Sequence, residues 1–287
     1  MNTHLFRMTG YLGAQDSYAD ACAVLVGVPM DFTVSNRPGA RTGPQGIRTV
    51  SYALEEYSVY QDKSIADISY YDAGDITLPF GNVSGSMNII EEVAKELFTN
   101  GKLPVFLGGE HLVSYPLIKA CYAKNPELVV IHFDAHADLR AEYGGERDSH
   151  ATVMQKVVGL LGPKRVYQFG IRSGTREEFA FAHENTHMFV DEIFPALDKA
   201  VANLKGKPVY ITLDIDVVDP AYAPGTGTPE PGGCTSREIL AAIRAMKPLN
   251  VVGLDIVEVS PVYDNAEITS ILAAKLVRES LLAFVNK

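Results

Sequence analysis

The run VVIHFDAHADLR at 129–140 opens as a strand and ends in alternating acid and imidazole groups, Asp134, His136 and Asp138. Val129, Val130 and Ile131 are β-branched and apolar, which suits a strand buried on both faces, but such a strand has no need of three ionisable groups at its tip. Other apolar runs end in the same kind of residue: PVFLGGEH delivers His111, VYITLDID delivers Asp214 and Asp216, and VVGLDIVE delivers Glu258. The two imidazoles and four aspartates suit a divalent metal that accepts oxygen-rich ligands with some nitrogen, which points to Mn²⁺ before Zn²⁺ or Mg²⁺. Four aspartates around one ion would leave two negative charges uncompensated in a poorly hydrated cleft. Two ions balance all four, with aspartates bridging the pair.

These tips need a scaffold that brings them together. Apolar runs of strand length lie at 22–28, 67–73, 104–108, 128–133, 165–170, 187–190, 208–215 and 250–258. Helix-like stretches fall between them: Pro44 to Tyr60 opens with Gly-Pro at a helix start, and Met87 to Phe98 puts Ile90, Val93, Ala94 and Leu97 on one face. This βαβα order predicts an α/β fold, a three-layer α/β/α arrangement with a mostly parallel sheet of about eight strands. No Pro/Gly/Ser-rich linker or repeat divides the chain, so residues 1–287 read as a single domain, and the Gly and Pro cluster at 224–233 reads as a loop. Ligands of open parallel sheets bind beyond the carboxyl ends of the strands, so all the candidate residues are expected on one edge.

Composition narrows the partners. Thirty-five acidic against 25 basic residues give a net charge of -10, which disfavours nucleic acid and mildly favours a cationic ligand. The three cysteines, Cys22, Cys121 and Cys234, are far apart and odd in number, which makes neither a disulfide framework nor a metal site and fits a reducing cytoplasm. MNTHLFRMTG lacks the features of a signal peptide, and no stretch reaches the roughly 18 apolar residues of a membrane span, so a soluble protein without a membrane partner is expected.

GGEHLVSYP, DAHADLR, SHATVM, LDIDVVDPAYAPGTGTPEPGG and DIVEVSP, in that order across 108–261, resemble the signature of the ureohydrolase family, which includes arginase, agmatinase, formiminoglutamase and guanidinobutyrase. Many members carry Gly-Gly-Asp before the first ligand, whereas this chain has Glu110 there and keeps His111. The resemblance implies an arginase-like fold and two Mn²⁺ ions per chain. It assigns His111, Asp134, Asp138 and Asp214 to one ion and Asp134, His136, Asp214 and Asp216 to the other, with Asp134 and Asp214 bridging. Water between two divalent ions is acidified enough to attack near neutral pH. By the same resemblance Asp138 carries a proton to the departing amine, His150 shuttles protons at the cleft mouth, and Glu258 holds the substrate's guanidinium. A homo-oligomer, trimer or hexamer, is implied as well.

The interval LRAEYGGERDS lacks the Ser/Thr/Asn-rich pattern with which arginase members grip an amino acid, and with TPEPGG it resembles the agmatinase branch. The expected reaction is therefore cleavage of agmatine to putrescine and urea. Glu142 or Glu146 would meet the substrate amine if either faces the cleft. Arg140 or Arg147 would instead suit a carboxylate tail, as in a guanidinobutyrase, and a catalytically silent metal- or polyamine-binding regulator is the alternative from another class. GTGTPEPGG at 225–233 lacks the Gly-Lys-Ser/Thr ending of a phosphate loop and reads as a substrate-lining loop. His132 reads as a core histidine or one supporting the ligands, and His4, His183 and His187 read as surface residues. Arg37, Arg41 and Arg48 suit either a subunit contact or a loop.

Overall fold

A computed structural model of the chain describes residues 4–6 and 9–285; within the N-terminal decapeptide, Met1 to Thr3, Arg7 and Met8 lie outside the described residues. In chain order the strands are β1 Leu5–Phe6, β2 Ala23–Val28, β3 Tyr57–Ser58, β4 Lys63–Ser64, β5 Tyr70–Ile76, β6 Leu103–Gly108, β7 Val129–Phe133, β8 Val166–Ile171, β9 His187–Val190, β10 Pro208–Asp214 and β11 Asn250–Val257. Nine of them form one sheet in the order β1-β5-β2-β6-β11-β10-β7-β8-β9, and β3 and β4 make a separate hairpin. Every pairing in the large sheet is parallel except β1 with β5. The eight expected strands are present; β1, only two residues long, is the ninth.

The helices are α1 Gly43–Ser51, α2 Val83–Thr99, α3 Ser114–Lys124, α4 Val153–Leu161, α5 Arg176–Asn185, α6 Ala196–Asn203, α7 Ser236–Ala245 and α8 Ile268–Phe284. Residues of α1, α6, α7 and α8 pack into the core on one face of the sheet, and those of α2, α3 and α4 into the core on the other. The central strands β2, β6 and β7 are apolar almost throughout and buried on both faces, as parallel strands between two helical layers must be. Local signals start the helices: Pro44 lies in the first turn of α1, Asn82 caps α2, and Thr175 with Glu178 and Thr235 with Glu238 form capping boxes on α5 and α7.

The helix expected over Pro44 to Tyr60 ends early, at Ser51. The Ser51 hydroxyl turns back to donate to Arg48 O at 2.7 Å and accepts the Leu12 N–H at 3.0 Å, which pins the last turn, and the chain then enters the β3–β4 hairpin. Arg48 itself is buried and forks onto both Asp72 oxygens at 2.8 and 2.9 Å while pairing with Asp75, a structural role inside the chain. Arg41 stays exposed, 3.6 Å from Asp31, and Arg37 lies over the Tyr263 ring. His183 is exposed, whereas His4 and His187 are half-buried. All three cysteines are free. Among the described residues no helix is long and apolar enough to cross a membrane.

Candidate metal centre and active cleft

The chain runs from β6 directly to β7 and leaves between them a gap that β10 and β11 fill much later. This makes β6, β11, β10 and β7 four consecutive neighbours, and their carboxyl ends carry His111, Glu258, Asp214 and Asp134 in that order. The crevice beyond strand ends at a crossover of this kind is where open α/β sheets bind ligands. His111 opens a 3₁₀ turn three residues past the end of β6. The approach is tight: a Cβ on Gly109 would sit 1.9 Å from Met30 O, so only glycine lets the two backbones pass. Asp138 and Glu258 both adopt left-handed backbone, φ 53° and 63°, a conformation that costs a non-glycine residue on the order of 1 kcal/mol or more and clusters at functional sites.

The six candidate ligands converge. His111 Nδ1 faces Asp134 Oδ2 at 3.0 Å, Asp138 Oδ2 at 3.2 Å and Asp214 Oδ2 at 3.4 Å. His136 Nδ1 faces Asp216 Oδ2 at 3.0 Å and Asp134 Oδ1 at 3.5 Å. Backbone amides hold the carboxylates in place: Ala135 N–H donates to Asp216 Oδ1, His136 N–H to Asp134 Oδ1 and Asp216 N–H to Asp214 Oδ1. His111 Nδ1 is buried without a hydrogen-bond partner, aimed at three carboxylate oxygens. An orphaned imidazole nitrogen among carboxylates is what a divalent cation would satisfy, and this donor set fits one.

The charges agree. Burial, then the neighbouring charges of Asp216 and Asp134, push Asp214 well above the usual carboxylate range, and burial with the charge of Asp134 raises Asp138 to about 7. Burial opposes protonation of His111, yet the three carboxylates override it and raise its pKa well above the ordinary value. Carboxylates crowded around these imidazoles concentrate negative charge that a cation would offset.

Beneath the ligands runs a row of fully buried polar side chains that the sequence reading did not single out as a set. Cross-strand register places Asp255, Thr212, His132 and Gln168 side by side on β11, β10, β7 and β8. Thr212 Oγ1 donates to Asp255 Oδ1 at 2.6 Å and stands 2.9 Å from His111 Nε2; His132 Nε2 stands 2.8 Å from Asp134 Oδ2. The sequence signal is spacing: Thr212 and His132 each precede an aspartate by two residues, so each shares its face. His132 is thus a core histidine that touches a candidate ligand, and burial lowers its pKa.

The candidate ligands open into a cleft of about 280 Å³, lined also by Ser35, Arg140, Tyr143, His150, Glu178, Thr228 and Glu258. Glu258 Oε1 accepts the His111 N–H at 2.8 Å, and burial, then the charge of Glu110, raises its pKa to about 8. His150 sits in a 3₁₀ turn between two hydroxyls, Ser35 Oγ 3.1 Å from Nε2 and Ser149 Oγ 3.3 Å from Nδ1; burial lowers its pKa to about 4. Glu110, the departure from Gly-Gly-Asp, is buried and accepts from Phe32 N, Thr33 N and Thr33 Oγ1 at 3.1, 2.8 and 2.7 Å. Thr33 Oγ1 in turn accepts the His150 N–H, so Glu110 anchors the loop that brings Ser35 to His150.

The candidates for the substrate's tail fare differently. Glu142, Glu146 and Arg147 are exposed and do not line the cleft. Arg140 does line it, but it stacks over the Tyr143 ring and its Nε lies 3.5 Å from buried Glu178 Oε2. The loop at 225–233 contributes Thr228 to the wall, and Arg172 ties it to the turn after β10 by donating to Glu230 O at 2.6 Å and Asp216 O at 2.7 Å.

A family model described as the arginase family matches residues 21–283. The chain is 52% identical over 279 residues to the agmatinase of Bacillus subtilis (strain 168), covering 96% of each chain, and 51% identical over 279 residues to the agmatinase of Bacillus anthracis, again covering 96% of each. The crystal structure of agmatine ureohydrolase of Thermoplasma volcanium superposes with a TM-score of 0.87 at 34% identity, covering 97% of this chain and 94% of that one.

Proposed function

The chain belongs to the arginase family, and from that premise we propose that it hydrolyses agmatine to urea and putrescine at a pair of divalent cations, Mn²⁺ by preference. It is a hydrolase of the agmatinase type. His111, Asp134, Asp138 and Asp214 would hold one ion and Asp134, His136, Asp214 and Asp216 the other, with Asp134 and Asp214 shared; the orphaned His111 Nδ1 facing three carboxylates supports this set. When bound, the pair supplies Lewis acidity that makes water a nucleophile near neutral pH.

The rest is the work of the chain's own side chains. A guanidinium is cationic and resonance-stabilised, so its carbon must be held over the nucleophile while a departing nitrogen is protonated. Glu258 Oε1 already accepts the His111 N–H, which turns the other oxygen, Oε2, to accept N–H bonds from the substrate. An Asp138 carboxylate oxygen takes the proton released on attack and hands it to the departing amine. His150 exchanges protons with solvent through Nε2, which Ser35 Oγ orients. A homo-oligomer, trimer or hexamer, a cytoplasmic location and action of the whole chain as one ureohydrolase domain rest on the resemblance alone.

The observation that carries agmatine over other guanidino compounds is the pairing of Arg140 with Glu178. Glu178 already faces the one arginine on the cleft wall among the described residues, so a carboxylate tail would have to share that cation with a buried carboxylate in an acidic cleft. The penalty is roughly 1 to 3 kcal/mol, equivalent to about 5- to 150-fold discrimination. Urea release with Mn²⁺ across agmatine, arginine and 4-guanidinobutyrate tests this, and agmatine is expected to lead in kcat/KM. A tenfold preference for 4-guanidinobutyrate would contradict it and free Arg140 for a carboxylate.

A further inference from the structure

Both proposed ion positions depend on Asp134, and its carboxylate is held by a chain of hydrogen bonds that can run in only one direction. Gln168 Nε2 lies 2.9 Å from Ala137 O and 3.1 Å from His132 Nδ1. A backbone carbonyl can only accept, so the Gln168 atom facing it is the amide nitrogen, with two N–H donors. The second N–H meets His132 Nδ1, which must therefore accept. An imidazole that accepts at Nδ1 carries its proton on Nε2, and that N–H points at Asp134 Oδ2, 2.8 Å away.

The reverse order fails on the same contacts. Turning the amide over would set Gln168 Oε1 against Ala137 O, and a proton on His132 Nδ1 would then face an oxygen whose other neighbour repels it. The observed order persists although it leaves Gln168 Oε1 buried without a partner, an omission that ordinarily destabilises a fold. Gln168 and His132 are paired directly across β8 and β7, and both are fully buried, so neither has a solvent alternative. The polarity also excludes His132 from the ligand set although its position would allow it, because its Nε2 lone pair is replaced by a proton.

We propose that Gln168 is a positioning residue for the metal centre: it fixes His132 as an Nε2–H donor that aims the Asp134 carboxylate, and it ties down the Ala137 carbonyl in the loop that bears His136 and Asp138. The inference rests on the two-ion reading above. Groups that orient a metal ligand through a hydrogen bond typically change metal affinity by about 10- to 100-fold when removed.

Two readouts on the full-length chain test it: ¹⁵N NMR of labelled histidines in the wild type, and Mn²⁺ affinity by chelator competition in wild type, Gln168→Met, His132→Leu and His132→Gln. His132 is expected to carry its proton on Nε2. Gln168→Met and His132→Leu should bind Mn²⁺ at least ~10-fold more weakly. His132→Gln should recover most of the loss, because its amide nitrogen reaches the Nε2 position and keeps a donor on Asp134. A packing role alone would lower the melting temperature of all three variants and leave Mn²⁺ affinity unchanged, which would overturn the proposal. A proton on His132 Nδ1 would overturn it too, and this is read in the wild type even if a variant fails to fold. No metal bound by the wild-type chain would instead overturn the two-ion reading and this inference with it.

Discussion

Asp214→Asn is expected to lose manganese at both positions and about 10³-fold in turnover, equivalent to ~4 kcal/mol of barrier. Asparagine keeps the size of the side chain, and its amide oxygen can go on accepting the Asp216 N–H that Asp214 Oδ1 accepts now, so the turn after β10 should survive. What disappears is a negative charge at the oxygen that faces His111 Nδ1 at 3.4 Å. If Asp214 is shared, each ion loses a ligand and the pair loses part of its neutralisation at once. Elemental analysis beside a urea assay reads both effects. Two ions retained at unchanged affinity would sink the bridging role.

Glu258→Gln should do the opposite to the metals and nearly as much to the chemistry. The His111 N–H needs an acceptor, so the glutamine oxygen must take the place of Oε1. That leaves the NH₂ group pointing where the guanidinium donors arrive, donor against donor. Both ions should stay, since Glu258 is in neither proposed ligand set, while kcat/KM falls on the order of 10²-fold or more, about 3 kcal/mol. Near-wild-type rates would mean that Glu258 serves the His111 turn and not the substrate.

Much of this was legible in the sequence because parallel strands buried on both faces write continuous β-branched runs, and because ligands in such sheets follow directly on the strand ends. LVVIHF and PVYITLDI announce β7 and β10, and Asp134 and Asp214 stand at their tips. That these strands are neighbours could not be read, since β10 and β11 insert between β6 and β7 long after both have formed in the sequence. Strand β1 is too short to show any period, and the end of α1 at Ser51 depends on a partner, Leu12, distant in the chain.

The site shows the same division. His111, Asp134, His136, Asp138, Asp214, Asp216, His150 and Glu258 could be named from residue type and resemblance, and the structure gathers them around one cleft. The groups that hold them could not. Gln168 matters through a register with His132, Asp255 through one with Thr212, and Glu110 through hydrogen bonds to a loop nearly eighty residues earlier. Glu142 and Glu146 looked like tail anchors because they lie in the right interval, but the turn carries both of them outward.

The proposed activity stands on the two-ion centre, and a single titration tests it. Metal-free chain is loaded with increasing Mn²⁺, bound manganese per chain is counted by elemental analysis, and urea release from agmatine is measured on the same samples. Activity is expected to reach its maximum only as occupancy approaches two ions per chain; full activity at one ion per chain would contradict the two-ion centre.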